Sequence, residues 1–268
     1  MKNVAVFILV LLFSLPSRLH ASPWMRSGGS SLISTSLGYS QDSQLWTEGG
    51  FLVPLSESRL QSVYSVSYEH GYSYNYNVFA GTSFTYRDTG TQIIQGVSSI
   101  RVGARGRLQR FRNGRTWQVT ALLPARRVNN NPEDTGGGGS YGLHAGLFYR
   151  RLPDPYERPF TKFPFGVWGG GIGIATLQSG NAASQVDAYW KWEKSFTRTP
   201  FGIGFKGTGL TSFLEGPLTP YARFQSEGAM SYDLSRTEGV SVTYTVDVWG
   251  RNITQGNALQ VRFSHAFE

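Results

Sequence analysis

The sequence predicts an all-β fold: a transmembrane antiparallel up-and-down β-barrel of twelve strands, with ten or fourteen as the alternatives. Three observations lead there. First, apolar and polar residues alternate over many segments, the period of a strand with one greasy and one wet face. The closing segment shows it best: Leu259, Val261, Phe263 and Phe267 occupy every second position, Gln260, Arg262, Ser264 and Ala266 lie between them, and only His265 breaks the row. Second, composition favours strands, with 33 Gly, 14 Tyr, 17 Phe and 7 Trp. The mean hydropathy of −0.26 suits strands that are half polar. Third, past Ala21 no stretch approaches the ~18 uninterrupted apolar residues of a membrane helix.

The amino terminus suggests export. Lys2 supplies a positive charge, Val4 to Leu15 is an apolar run, and Leu19-His20-Ala21 offers a cleavage site. Residues 1–21 therefore read as a secretory signal peptide and residues 22–268 as the barrel. With no Cys in the chain, no lipid anchor on cysteine, disulfide or thiolate metal site is expected. The formal charge of +8 falls to +6 once Lys2 and Arg18 leave with the signal peptide. The basic residues are scattered rather than striped, so nucleic acid is not expected as a partner.

The strand segments follow in order. Ser31 to Ser40 carries Ile33, Thr35, Leu37 and Tyr39 on one face; Leu60 to His70 carries Tyr64, Val66 and Tyr68; Tyr74 to Arg87 carries Tyr76, Val78, Ala80, Phe84 and Tyr86. Gly96 to Gln109 carries Ile100, Val102, Ala104 and Leu108; Thr116 to Ala125 carries Trp117, Val119, Ala121 and Leu123; Tyr141 to Arg150 carries Leu143, Ala145, Leu147 and Tyr149. Phe165 to Leu177 is so rich in glycine that its outer face is not assigned. Gln185 to Phe196 carries Val186, Ala188, Trp190 and Trp192; Phe201 to Phe213 carries Ile203 and Phe205; Tyr221 to Leu234 carries Phe224, Met230 and Tyr232; Val240 to Gly250 carries Val242, Tyr244, Val246 and Val248. Asn257 to Phe267 closes the set. Most segments exceed the roughly five or six residues of a soluble strand and reach the ~9–11 that a tilted strand needs to cross a bilayer. Aromatics at both ends of an apolar row suit the two interfaces.

Tight turns are expected at residues 70–73, 112–115, 197–200 and 236–239, alternating with longer polar links such as Gln41 to Arg59 and Arg126 to Ser140. This alternation puts both termini in the periplasm. Leu152 to Pro164 is long for a periplasmic turn, and Leu45 to Leu55 reads as a loop, a thirteenth strand or a flap over the mouth. Since no backbone group can stay unpaired in lipid, the strands must close.

The opposite parity carries the charge. Arg101, Arg105, Arg107, Asp187, Lys191, Glu193, Lys206, Arg223, Glu227 and Arg262 all fall on it, with Tyr189, Gln225, Asp233 and Asp247. On the lipid face each charge would cost roughly 2–4 kcal/mol at midplane, so these ten are the candidate pore-lining residues. They read either as ion pairs filling a narrow barrel or as a wet pathway that the three arginines bias towards anions. Catalysis has little to stand on. The mature chain holds only His70, His144 and His265, and the position two residues after the inward His144 is Gly146, with no serine there. No cofactor or metal site is expected. The predicted function is a passive channel for a small solute, hydrophobic solutes included. The alternatives are a closed barrel displaying its loops and a lipid-modifying enzyme.

Two resemblances bear on this. The closing strand, ending on Phe267 one residue before Glu268, resembles that of bacterial outer-membrane barrels, whose last strand carries an assembly signal ending in Phe. That likeness implies Phe263 and Phe267 as the assembly signal, the barrel-assembly machinery as partner, and outer-membrane lipid and lipopolysaccharide as surroundings. Ser34-Thr35-Ser36-Leu37-Gly38-Tyr39, and Glu69-His70-Gly71 followed by a strand reaching Gly81, resemble the family named after meta-pathway phenol degradation, thought to transport hydrophobic compounds. There an aromatic stands where this chain has His70.

Overall fold

The computed structural model describes residues 28–73, 75–88, 90, 93–108, 113–123, 141–151, 167–178, 184–196, 199–212, 221–235 and 237–267. Twelve strands form one closed sheet: β1 (Ser31–Trp46), β2 (Leu52–Ser73), β3 (Tyr76–Asp88), β4 (Ile93–Arg107), β5 (Asn113–Leu123), β6 (Tyr141–Arg151), β7 (Val167–Gln178), β8 (Gln185–Ser195), β9 (Phe201–Ser212), β10 (Ala222–Asp233), β11 (Glu238–Arg251) and β12 (Ile253–Phe267). Each strand is hydrogen-bonded antiparallel to its sequence neighbours, and β12 closes on β1. At the seam Ser31 is opposite His70 on one side and Phe267 on the other, so the first and last strands begin and end at one rim.

The strands tilt strongly. Following opposed residues from Ser31 through His70, Val78, Ala104, Val119, Ala145, Ile174, Val186, Thr211 and Ala222 leads to Arg251. The next residue, Asn252, donates its N–H to Thr47 at the far end of β1 (3.4 Å). A sheet that closes with such stagger must incline its strands to the barrel axis.

The molecule is apolar outside and polar inside. Leu37, Tyr64, Val78, Leu147, Ile172, Phe205, Met230 and Leu259 are exposed on the outer face. Among the described residues the buried apolar side chains are only Leu32, Trp46, Phe148 and Ala175, too few for the core of a soluble domain of this length. Small hydroxyls cover the inner wall beside the seam. Ser34 donates to Ser264 (2.7 Å), Ser65 and Ser83 are 3.0 Å apart, and Gln260 donates to Ser36 (2.9 Å).

Glycines let large rings lie flat on the sheet. On the inner face Phe79 is opposite Gly103 and Phe148 is opposite Gly171; on the outer face Trp117 is opposite Gly106 and Trp190 is opposite Gly207. In each pair a Cβ on the glycine would run into the ring. The glycine-rich seventh strand is thereby assigned: Ile172 and Ile174 are exposed outside, while Gly171 and Gly173 make room inside.

Several connections differ from the sequence expectation. Gln41 to Arg59 is no loop, and Leu45 to Leu55 is neither a thirteenth strand nor a flap. Instead β1 continues to Trp46, turns over Thr47–Phe51 and returns as β2, with Trp46 opposite Leu52. Glu48-Gly49-Gly50 supplies the turn, with Gly50 at φ 77°. Register shifts after Asp42 absorb the extra residues of β2. The turn expected at 70–73 does not lie there, because Gly71 exchanges backbone hydrogen bonds with Gly29 and Ser30 and β2 stays in strand to Ser73. Residues 113–115, expected in a turn, belong to β5, and Leu108 donates to the Arg115 carbonyl (3.0 Å). Glu238 and Gly239, expected in a turn, belong to β11, and Leu234 donates to the Glu238 carbonyl (3.1 Å). Phe196 donates to Phe201 (3.0 Å) across the segment of the expected 197–200 turn, of which 197 and 198 lie outside the described residues. Between β11 and β12 a tight hairpin replaces the expected gap, with Asn252 at φ 51°. The signal-peptide segment 1–21, the 126–140 link and the 152–164 link lie outside the described residues.

Candidate functional site: the barrel interior

Two walls and an upper clamp organise the interior. On the β2–β5 wall Arg105 is buried. Its Nη1 donates to Glu69 Oε1 (3.1 Å), while Nε and Nη2 donate to Gln118 Oε1 (3.0 and 2.9 Å). Asn77 donates to the same Glu69 oxygen (2.8 Å), Gln118 to Thr120 (3.0 Å), and the Arg105 guanidinium lies 5.3 Å from the Phe79 ring centre. A charged group so fully hydrogen-bonded is a strut that ties β2, β3, β4 and β5 together. The sequence did not single out Asn77, Phe79 or Gln118, and named Glu69 only within a motif, not as an interior group. Their signal was parity: each is an inward position between residues of the apolar row.

The opposite wall runs from β8 to β12. Lys191 pairs with Glu193 (2.5 Å) and Lys206 with Glu227 (3.3 Å). Arg262 on β12 stands beside Glu227 and Arg101, close enough for both to act on its charge. A cavity of about 110 Å³ opens along this wall, bounded by Lys191, Lys206, Glu227, Ser241, Thr243 and Arg262 among others.

Towards the rim opposite the termini, Asp247 is buried and fully satisfied. It accepts two hydrogen bonds from Arg223 (2.6 Å each), one from Gln225 (2.9 Å) and one from the Gly256 N–H (2.8 Å). His144 on β6 meets Asp187 on β8 (2.8 Å), reaching over Gly173 of the intervening β7, which has no Cβ to block them.

Tyr189 from β8 packs across β7 against Phe148 of β6, ring centres 5.7 Å apart, and comes within electrostatic reach of Arg105 on β4. Of the candidate residues, the structure thus groups Lys191, Glu193, Lys206, Glu227, Arg262 and Arg101 on or facing one wall and puts Arg105 on the other. Arg223 and Asp187 lie in separate pairs. Arg107 ends β4 at the rim of the termini, where its N–H bonds the Asn75 carbonyl (3.1 Å).

Charge is not wholly confined inward. Glu238 and His265 share the outward parity at the terminal rim, 2.8 Å apart, with Glu238 buried. His265 therefore breaks the apolar row because it has a carboxylate to meet. On β12, Phe263 is opposite Thr35 and Val240, and the Phe267 ring lies 4.4 Å from that of His265.

Solved structures share this architecture. An outer membrane channel from Pseudomonas putida F1 matches with a TM-score of 0.77, covering 94% of this chain and 100% of that one at 9% identity. The beta domain of the Bordetella autotransporter BrkA matches with 0.53, covering 89% and 100% at 8% identity. The transport unit of the autotransporter AIDA-I from Escherichia coli matches with 0.50, covering 96% and 94% at 10% identity. No protein-family model and no curated protein matches the sequence. At these identities the likeness is one of fold: this chain is a twelve-stranded barrel of the kind found in bacterial outer membranes.

Proposed function

We propose that the chain is a passive channel that lets small solutes cross the bacterial outer membrane. One observation carries the reading. The interior is lined by ionisable and hydroxyl side chains around an open cavity, whereas the outer face is an apolar band that water would not wet. A barrel of this strand number is wide enough for a narrow path. The fold shared with the Pseudomonas channel supports the same reading. Liposomes containing the purified protein should swell in iso-osmotic solutions of small sugars or amino acids. Folded protein that leaves the liposomes impermeable would sink the proposal.

The second reading is a closed barrel that displays its loops, favoured by the packing of the inward Tyr189 and Phe148 rings against each other, with Arg105 within electrostatic reach. Tyr189→Ala separates the two. A channel with a constriction should swell faster, and a barrel plugged throughout should not respond.

A further inference from the structure

At the rim of the termini the outer face of four neighbouring strands turns polar. Its outward residues can be followed rung by rung across β2, β1, β12 and β11. Tyr64, Leu37, Val261 and Val242 form one rung of the apolar band, and Val66, Thr35, Phe263 and Val240 the next. Then come Tyr68, Ile33, His265 and Glu238, and last His70, Ser31 and Phe267. Two of the chain's four histidines thus stand on the outer side, at the edge of the band rather than in the interior.

Three of these side chains are linked in series. Ser31 Oγ lies 3.1 Å from the Tyr68 hydroxyl and 2.7 Å from His70 Nδ1, and the Tyr68 and His70 rings are nearly parallel, 7° apart. With a neutral imidazole the trio holds three N–H and O–H donors and makes two hydrogen bonds, so one donor is left over whichever way the protons run. No described residue accepts it. Tyr68 is 44% exposed, on the outer side of the wall. Across β1, Phe267 stands opposite Ser31, and its ring lies 4.4 Å from that of His265, which the buried Glu238 holds by Nδ1 (2.8 Å).

The fold sets what meets this face. The outer wall of a membrane barrel faces lipid, and polar and ring side chains at the edge of the apolar band lie at the depth of the head groups. There each phospholipid presents a phosphodiester, an anion that only accepts. Hydrogen bonds to an ionised acceptor are roughly twice as strong as neutral ones, which favours phosphate over water for the spare donor.

We propose that Ser31, Tyr68 and His70 form a binding site for the phosphate of a phospholipid in the leaflet around this rim. The site goes beyond the channel reading and does not depend on conduction.

The test uses the full-length barrel folded in dodecyl maltoside, a detergent without phosphate. The probe is dioctanoyl phosphatidylethanolamine, and native mass spectrometry counts the lipids bound. Wild type should take up a first lipid more tightly than later ones. The double variant Tyr68→Phe/His70→Phe keeps both rings and removes their donors. It should weaken the first binding about tenfold, as the loss of one hydrogen bond to a charged group does. Tyr232→Phe, at the same rim against Phe201, should leave it unchanged. Folding of each variant is checked by its heat-shifted migration in a gel. A folded double variant that binds as wild type does would overturn the site, as would an equal loss in Tyr232→Phe or a series of equal affinities in wild type. Dioctanoylglycerol, which has the chains without the phosphate, binding wild type as tightly would overturn the recognition of phosphate. Sodium phosphate displacing the bound lipid would make the free ion the ligand and overturn the lipid. A barrel that binds the lipid but leaves liposomes impermeable sinks the channel reading alone; one that is permeable without this first binding sinks the site alone.

Discussion

Glu69→Ala removes the carboxylate that anchors Arg105. Two hydrogen bonds disappear, from Arg105 at 3.1 Å and from Asn77 at 2.8 Å, and the guanidinium stays behind at a site where its side chain is 9% exposed. At the 3.1 Å separation, an effective dielectric near 20 puts the Coulomb attraction at about 5 kcal/mol. Breaking one half of a buried pair costs about 3–5 kcal/mol in general. Gln118 continues to accept two hydrogen bonds from Arg105 and water can enter the gap, so the lower end applies, about 3 kcal/mol. Arg105→Met should cost less, about 1–2 kcal/mol, because it removes the charge together with its need and leaves Glu69 with Asn77. Both are read from urea unfolding in phospholipid vesicles by tryptophan fluorescence, with the double variant closing the cycle. A Glu69→Ala cost below about 1 kcal/mol, or an Arg105→Met cost above that of Glu69→Ala, would refute the view of Arg105 as a desolvated strut.

Ile172→Arg puts a cation on the most lipid-exposed part of β7 and should cost about 2–4 kcal/mol in the same assay if that residue lies near the bilayer midplane. Gly170→Ala drives a Cβ to 2.9 Å from the Tyr189 carbonyl oxygen and should destabilise by about 1–3 kcal/mol, whereas Gly209→Ala, with nothing nearer than 4.0 Å, should cost little, as paired unfolding curves would show. Phe267→Ala should lower the amount of folded, heat-modifiable barrel recovered from cell outer membranes while the purified protein still refolds in detergent; equal recovery would count against an assembly role for that residue.

The wall of the barrel was legible because strand parity is a strict rule: one apolar row per segment gave twelve strands and told inside from outside. Where a segment has no row, as in the glycine run of β7, parity is silent until Phe148 and His144 are seen occupying the room those glycines leave. The turn at Thr47–Phe51 was hidden because β1 and β2 outrun the apolar rows that define them, carried on by the pairing of β1 with β12 and of β2 with β1. Pairing inside the barrel was not legible. Glu69 and Arg105 lie on non-adjacent strands, and Tyr189 finds Arg105 only because the barrel brings β8 to face β4.

Single-channel recording in a planar bilayer bears most directly on the idea of a wet, charged interior that conducts. Purified folded protein should give discrete conductance steps, and in a potassium chloride gradient the reversal potential should favour chloride, with Arg101→Gln and Arg262→Gln moving it towards potassium. A bilayer that stays silent with folded barrel inserted, or a wild-type preference for potassium, would contradict it.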